Sequence, residues 1–186
     1  MAKAFASQGD MTEKNISFTE VGDGLYAFTA EGDHDELLFT SKLAEQTERY
    51  DEMVLCMRKI VKLNAELNQD ERNLLSVAFK NVIGSRRAPW RILSTLEQKS
   101  AGDTAQNAII RSFKGRMVNE IGAVCVDIFK LLEDFLIPAA EDDESKVFYY
   151  KLKGDYHRYF VEVDKNQKQR DDAKSAYAQA TKFAEI

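Results

Sequence analysis

The sequence predicts an all-α protein, an antiparallel array of about six helices. Three observations lead there. Only two prolines and nine glycines interrupt 186 residues, which leaves room for long elements. From Asp33 onward, apolar residues recur at intervals of three and four, the period of a helix with one buried face. The breaks between these runs are short and carry capping residues, as in helical arrays whose neighbours run antiparallel.

Taken in order, residues 1–32 stand apart as an N-terminal extension. They hold four of the nine glycines and two strand-like runs, Ile16–Val21 and Leu25–Phe28. A flexible arm, a hairpin and a segment masking the protein's own binding site are all compatible with them. Asp33 is placed to cap a first helix reaching Gln46. A second carries Tyr50, Met53, Val54, Met57, Ile60 and Val61 on one face. Asn68 and Glu71 have the spacing of a capping box and open a third helix to about Gln98. Lys99–Asp103 reads as a loop. The pattern Ile109, Ile110, Phe113, Met117, Ile121, Val124, Cys125, Ile128, Leu131, Leu132 predicts a fourth helix over 106–136, closed by Pro138. Asp142, Asp143 and Glu144 put negative charge at the start of a fifth, where the helix dipole favours it. A sixth spans 168–186, so residues 33–186 form the helical domain.

Composition narrows the function classes. A net charge of −5 argues against bulk nucleic-acid binding, which needs a basic face. No apolar run approaches the ~20 residues of a membrane span, and the first fifteen residues lack the apolar centre of a signal peptide. A cytoplasmic protein is expected. Asn15-Ile16-Ser17 fits a glycosylation sequon but reads as chance in that setting. Cys56 and Cys125 lie inside helical apolar patterns and read as buried, reduced thiols. The only histidines are His34 and His157. With no nucleophile motif, P-loop or ligand cluster beside them, neither a metal, a cofactor nor catalysis is expected.

Against this acidic background, KNVIGSRRAPWR (80–91) gathers four positive charges in twelve residues. Lys80, Gly84, Arg87 and Arg91 are spaced four, three and four apart, so they share one helix face. KLKGDYHRY (151–159) repeats the scheme, with Lys151 and Arg158 seven apart and Gly154 between. Charges at such spacing usually form a solvated face. A mid-helix glycine, however, costs about 1 kcal/mol relative to alanine, and two of them flanked by cations suggest a shallow concavity for an anion. Two arginine forks, a lysine and the Tyr159 hydroxyl suit a phosphoserine or phosphothreonine. Asp155 and Glu162 are spaced to hold Arg158 in place.

At these residues the chain resembles the 14-3-3 family. The matching runs are KLAEQTERYDEM (42–53), ERNLLSVAFKNVIGSRRAPWR (71–91), DFLIP (134–138) and ESKVFYYKLKGDYHRYFVEV (144–163), and together they cover about 35–163. The resemblance implies a non-enzymatic, dimeric adaptor that binds phosphorylated client proteins in an amphipathic groove. By position, Lys80, Arg87, Arg158 and Tyr159 are similar to the family's phosphate-holding residues, with Lys151 and Arg91 as secondary groove cations. Leu43, Thr47 and Phe113 match its dimer face. Arg49 with Glu120, and Glu52 with Arg116, keep opposite signs where its subunits pair, an arrangement that fixes partner and register more than affinity.

Three departures stand out. Pro89 replaces a serine common in the family, which removes a phosphorylation site and introduces a local cost or kink between Arg87 and Arg91. The extension 1–32 is longer than the family's usual start. The sequence ends near the close of the sixth helix, without the three helices that supply the groove's apolar wall. The alternative expectation is therefore a helical dimer or scaffold that has lost phosphopeptide binding.

Overall fold

In the computed structural model, Asp33 opens α1 (His34–Gln46) by accepting from the Glu36 N–H at 3.0 Å, while Glu36 reaches back to the Asp33 N–H. The structure describes residues 16–22, 25–99, 105–165 and 167–185, with side-chain surroundings from residue 30 onward. Asn68 and Glu71 form the expected reciprocal box at 2.9 and 3.0 Å and start α3 (Gln69–Lys99). Asp142 caps α6 (Asp143–Val163) through the Ser145 N–H. Each cap satisfies backbone donors that a helix start leaves unpaired. The remaining elements are α2 (Tyr50–Leu63), α4 (Ala105–Leu131), a single turn α5 (Ile137–Ala139) and α7 (Gln167–Ala184).

Of the three readings of the N-terminal extension, the described part is a hairpin. β1 (Ile16–Gly22) pairs antiparallel with β2 (Leu25–Ala30), with a register irregularity between Glu20 and Gly22, and β2 meets α2. Residues 1–15, and with them the sequon asparagine, lie outside the described residues, as does most of the loop expected at 99–103.

One expected helix is corrected. The fourth does not run unbroken to residue 136, because α4 gives way to a π turn, Leu132–Leu136, before α5. Pro138 explains it: proline has no N–H, and its ring crowds the carbonyl four residues back. Widening the preceding turn relieves that crowding, and the Ile137 N–H donates to the Leu132 carbonyl, five residues back. Pro89, by contrast, sits inside α3, which continues through it.

The helices pack in sequential pairs, α1 on α2, α3 on α4 and α6 on α7, with α2 also against α3 and α4 against α6. The core gathers Met53, Cys56, Met57, Ile60 and Val61 of α2 with Leu75, Phe79 and Ile83 of α3. Ile121, Cys125 and Ile128 of α4 and Tyr149 and Tyr156 of α6 complete it. Each fully buried large apolar side chain contributes roughly 1.5–3 kcal/mol. Cys56 and Cys125 are buried and unpaired, as expected, and burial pushes their thiols up to about 11 and about 12. Only the second half of the α4 stripe is core. Ile109 and Phe113, in its first half, are exposed.

His157 is buried at the α6–α7 contact. Its ring stacks on Phe129 at 4.0 Å, and Nδ1 donates to Gln169 Oε1 at 2.7 Å. Burial lowers its pKa below the ordinary 6.5, against the opposing effects of Gln169, Asp172 and Glu133 and with that of Lys153. The neutral form is therefore native, and the unfolded chain takes up the proton first. Stability is expected to be complete above the ordinary value of 6.5 and to fall as pH drops through it toward the lowered folded value. His157→Phe should flatten this acid-side slope, measured as urea midpoints at about pH 5.5 and about pH 7.5. Equal slopes in both proteins would assign the loss to other groups.

Candidate functional site

The two basic stripes lie on α3 and α6, which meet through Arg87 and Arg91 of the first and Tyr159 and Glu162 of the second. On α3, Arg87 and Arg91 are one turn apart on either side of Pro89, and both turn toward Glu162 of α6. Arg87 Nε and Nη2 donate to Glu162 Oε2 at 2.7 and 2.6 Å, while Arg91 Nε and Nη2 donate to Oε1 at 2.6 Å each. Each guanidinium thus presents two nitrogens to one carboxylate oxygen, which fixes its plane. Burial alone would raise the Glu162 carboxyl. The hydrogen bonds and charges of the two arginines outweigh it and hold the group below the usual carboxylate range.

Tyr159 joins the stripes. The Cζ of Arg87 lies 4.0 Å from its ring centre and that of Arg158 4.7 Å, both within cation–π range. One aromatic ring from α6 therefore carries a guanidinium from each of two helices. Like charges gathered this way repel unless an anion stands among them.

Arg158 is held on its other side by Asp155 and Tyr177. Its Nη2 donates to Asp155 Oδ1 at 3.2 Å and its Nε lies 3.4 Å from the Tyr177 hydroxyl. Tyr177 itself donates to Asp155 Oδ1 at 2.7 Å, and Lys151 Nζ donates to Oδ2 at 3.3 Å. Burial pushes the Asp155 carboxyl up, but the hydrogen bonds from Tyr177 and Arg158 and the charge of Lys151 keep it below its ordinary value.

Lys80, two turns before Arg87, is exposed and has no ion-pair partner among the described residues. Lys80, Arg87, Arg91, Lys151 and Arg158 make five positive charges, and Asp155 and Glu162 offset two of them. The balance of about three positive charges favours an anion. Among the described residues, no group of three His, Cys, Asp or Glu is placed to hold a metal ion.

Two details correct the expectations from spacing. Glu162 does not hold Arg158, four residues before it on the same helix. It reaches across to α3, where two guanidiniums offer a better-matched partner. Gly154 does not open a concavity for a ligand, because its notch is filled from α7: a Cβ there would lie 2.8 Å from the Tyr177 ring. At Gly84 a Cβ would meet nothing within 4 Å, so that position is open. Tyr177 was missed altogether. The available signal was Gly154 itself, a costly residue that implies a large partner on the next helix.

The residues matched to a dimer face sit on the surface. Leu43 is 43% and Phe113 55% exposed, and Thr47 bonds the Leu43 carbonyl at 2.8 Å. Arg49 pairs with Glu52 on the same helix, and Arg116 pairs with Glu120 at 2.9 Å.

Residues 40–186 match the family described as 14-3-3 protein. The chain is 47% identical over 155 residues to 14-3-3 protein 3 of Entamoeba histolytica, covering 81% of this chain and 65% of that protein. It is 46% identical over 157 residues to a 14-3-3 protein homolog of Trichoderma harzianum, covering 82% and 60%. It is equally similar to the 14-3-3 family protein artA of Aspergillus flavus, covering 82% and 66%. The chain thus spans 60–66% of the length of these curated relatives.

Proposed function

The chain belongs to the 14-3-3 family, and from that premise we propose that it is a phosphoserine- and phosphothreonine-binding adaptor rather than an enzyme. The observation that carries this reading is the convergence of Arg87 and Arg158 on the Tyr159 ring. A phosphorylated side chain brings about −1.5 to −2 charges and three acceptor oxygens at pH 7, matching the excess positive charge of the site. Arg87 and Arg158 present their forks, Tyr159 supplies a hydroxyl and Lys80 swings in as a mobile charge. Lys151 and Arg91 act at the margin. Each charge-assisted hydrogen bond contributes on the order of 1.5–3 kcal/mol, so an unphosphorylated ligand is rejected.

The same reading includes a homo- or heterotypic dimer built through Leu43, Thr47 and Phe113. Its ion pairs form when Arg49 and Glu52 exchange their same-helix bonds for Glu120 and Arg116 of a second copy. No charged group goes unpaired in that exchange. Two grooves in one dimer raise the avidity for doubly phosphorylated clients. Among the described residues, no helix is long and apolar enough to cross a membrane, and the adaptor is proposed to act in the cytoplasm.

The test is fluorescence anisotropy with a labelled phosphoserine peptide and its unphosphorylated twin, read beside the mass of the protein in sedimentation. Saturable binding of the phosphopeptide alone, by a species of twice the chain mass, is the expected result. Equal, negligible binding of both peptides by that dimer would replace the proposal with the scaffold reading, and a monomer would overturn the dimer.

A further inference from the structure

We propose that Tyr177, on α7, is a positioning residue for the phosphate-holding Arg158, acting partly through Asp155; this rests on the phosphopeptide reading above. Two independent features of the packing place it there. The Tyr177 ring fills the notch over Gly154, where any Cβ would sit 2.8 Å from its carbons, so the ring is seated by α6 itself. The ring carries the hydroxyl past that notch into a closed triangle. It donates to Asp155 Oδ1 at 2.7 Å and lies 3.4 Å from Arg158 Nε, while Arg158 Nη2 bonds the same Asp155 oxygen at 3.2 Å.

The triangle has a directional consequence. A guanidinium has five N–H donors in a fixed plane. Tyr177 and Asp155 engage the Nε–Nη2 edge, and the remaining donors are left for an incoming phosphate. Without the hydroxyl, Asp155 still attracts the side chain through Nη2, but the Nε contact that fixes the rotation of its plane on this edge is lost. Tyr177 therefore contributes to phosphate binding without touching phosphate. The orientation of Arg158 depends on how α7 is seated against α6.

Tyr177→Phe tests this, since it keeps the ring in its notch and removes only the hydroxyl. Affinity for the phosphoserine peptide is expected to fall about tenfold, the scale of one hydrogen bond to a charged group, with helix content by circular dichroism unchanged. In an Arg158→Lys background, which has no fork to orient, Tyr177→Phe should add less than about a twofold loss. Undiminished affinity in Tyr177→Phe, or the same tenfold loss in the lysine background, would overturn the proposal. A measurement on the free protein separates this from the adaptor reading. The Nε–Hε NMR signal of Arg158 is expected to move in Tyr177→Phe toward that of freely rotating arginines, and an unmoved signal would overturn the positioning role whatever the peptides do. A moved signal in a protein whose parent ignores phosphopeptides would uphold the positioning contact and remove the adaptor reading alone.

Discussion

Replacing Arg87 by glutamate is expected to abolish phosphate-dependent peptide binding, with a loss of more than about a hundredfold. The variant removes a fork worth on the order of 1.5–3 kcal/mol per charge-assisted bond and adds a negative charge beside the proposed phosphate site, where every 1.4 kcal/mol is about tenfold in affinity. It also places a carboxylate where the arginine had contacted Tyr159 and Glu162. The fold is expected to survive, because Arg91 still engages the other oxygen of Glu162 and none of the buried apolar core is touched. Anisotropy with the paired peptides gives the affinity, and circular dichroism the helix content. A variant that still prefers the phosphorylated peptide would show that the phosphate sits elsewhere.

The second large effect is on stability. Phe79→Ala is expected to cost about 4 kcal/mol, in the usual range for emptying a buried phenylalanine site. Phe79 is only 1% exposed, and its ring meets Tyr156 edge-on at 6.3 Å. Tyr156 in turn meets Tyr159 at 5.4 Å, so the cavity opens one aromatic ring away from the proposed binding site. Phosphopeptide affinity should therefore weaken with stability, although Phe79 touches no ligand. Urea unfolding checks the first effect, and a loss below about 1 kcal/mol would mean the core closes over the gap.

The sequence made the helices legible because their signals are local. Asp33 with Glu36 and Asn68 with Glu71 are separated by three residues, and the apolar face of α2 repeats within two turns. The two arginine stripes were legible for the same reason, as was the resemblance that they carry. What escaped was contact between helices. Spacing on α6 put Glu162 within reach of Arg158, yet the carboxylate serves Arg87 and Arg91, more than seventy residues earlier in the chain. Gly154 was read as an empty place because the ring that occupies it comes from Tyr177, on a helix whose own pattern is unremarkable. The π turn was hidden differently: Pro138 marked an end, but the relief occurs in the residues before it.

The length of α3 gives the molecule an uneven mechanical character. At about 1.5 Å per residue its 31 residues extend about 46 Å, yet no residue of α3 after Ile83 is buried. Its second half is backed mainly by the first half of α4, where Asn107 is the only buried residue before Ile121. With so little buried surface, this pair is expected to open at lower free energy than the body of the protein. Arg87 sits near its root and Arg91 one turn further out. The Glu162 carboxylate that grips both from α6 is the tie at the point where the rigid body gives way to the yielding arm.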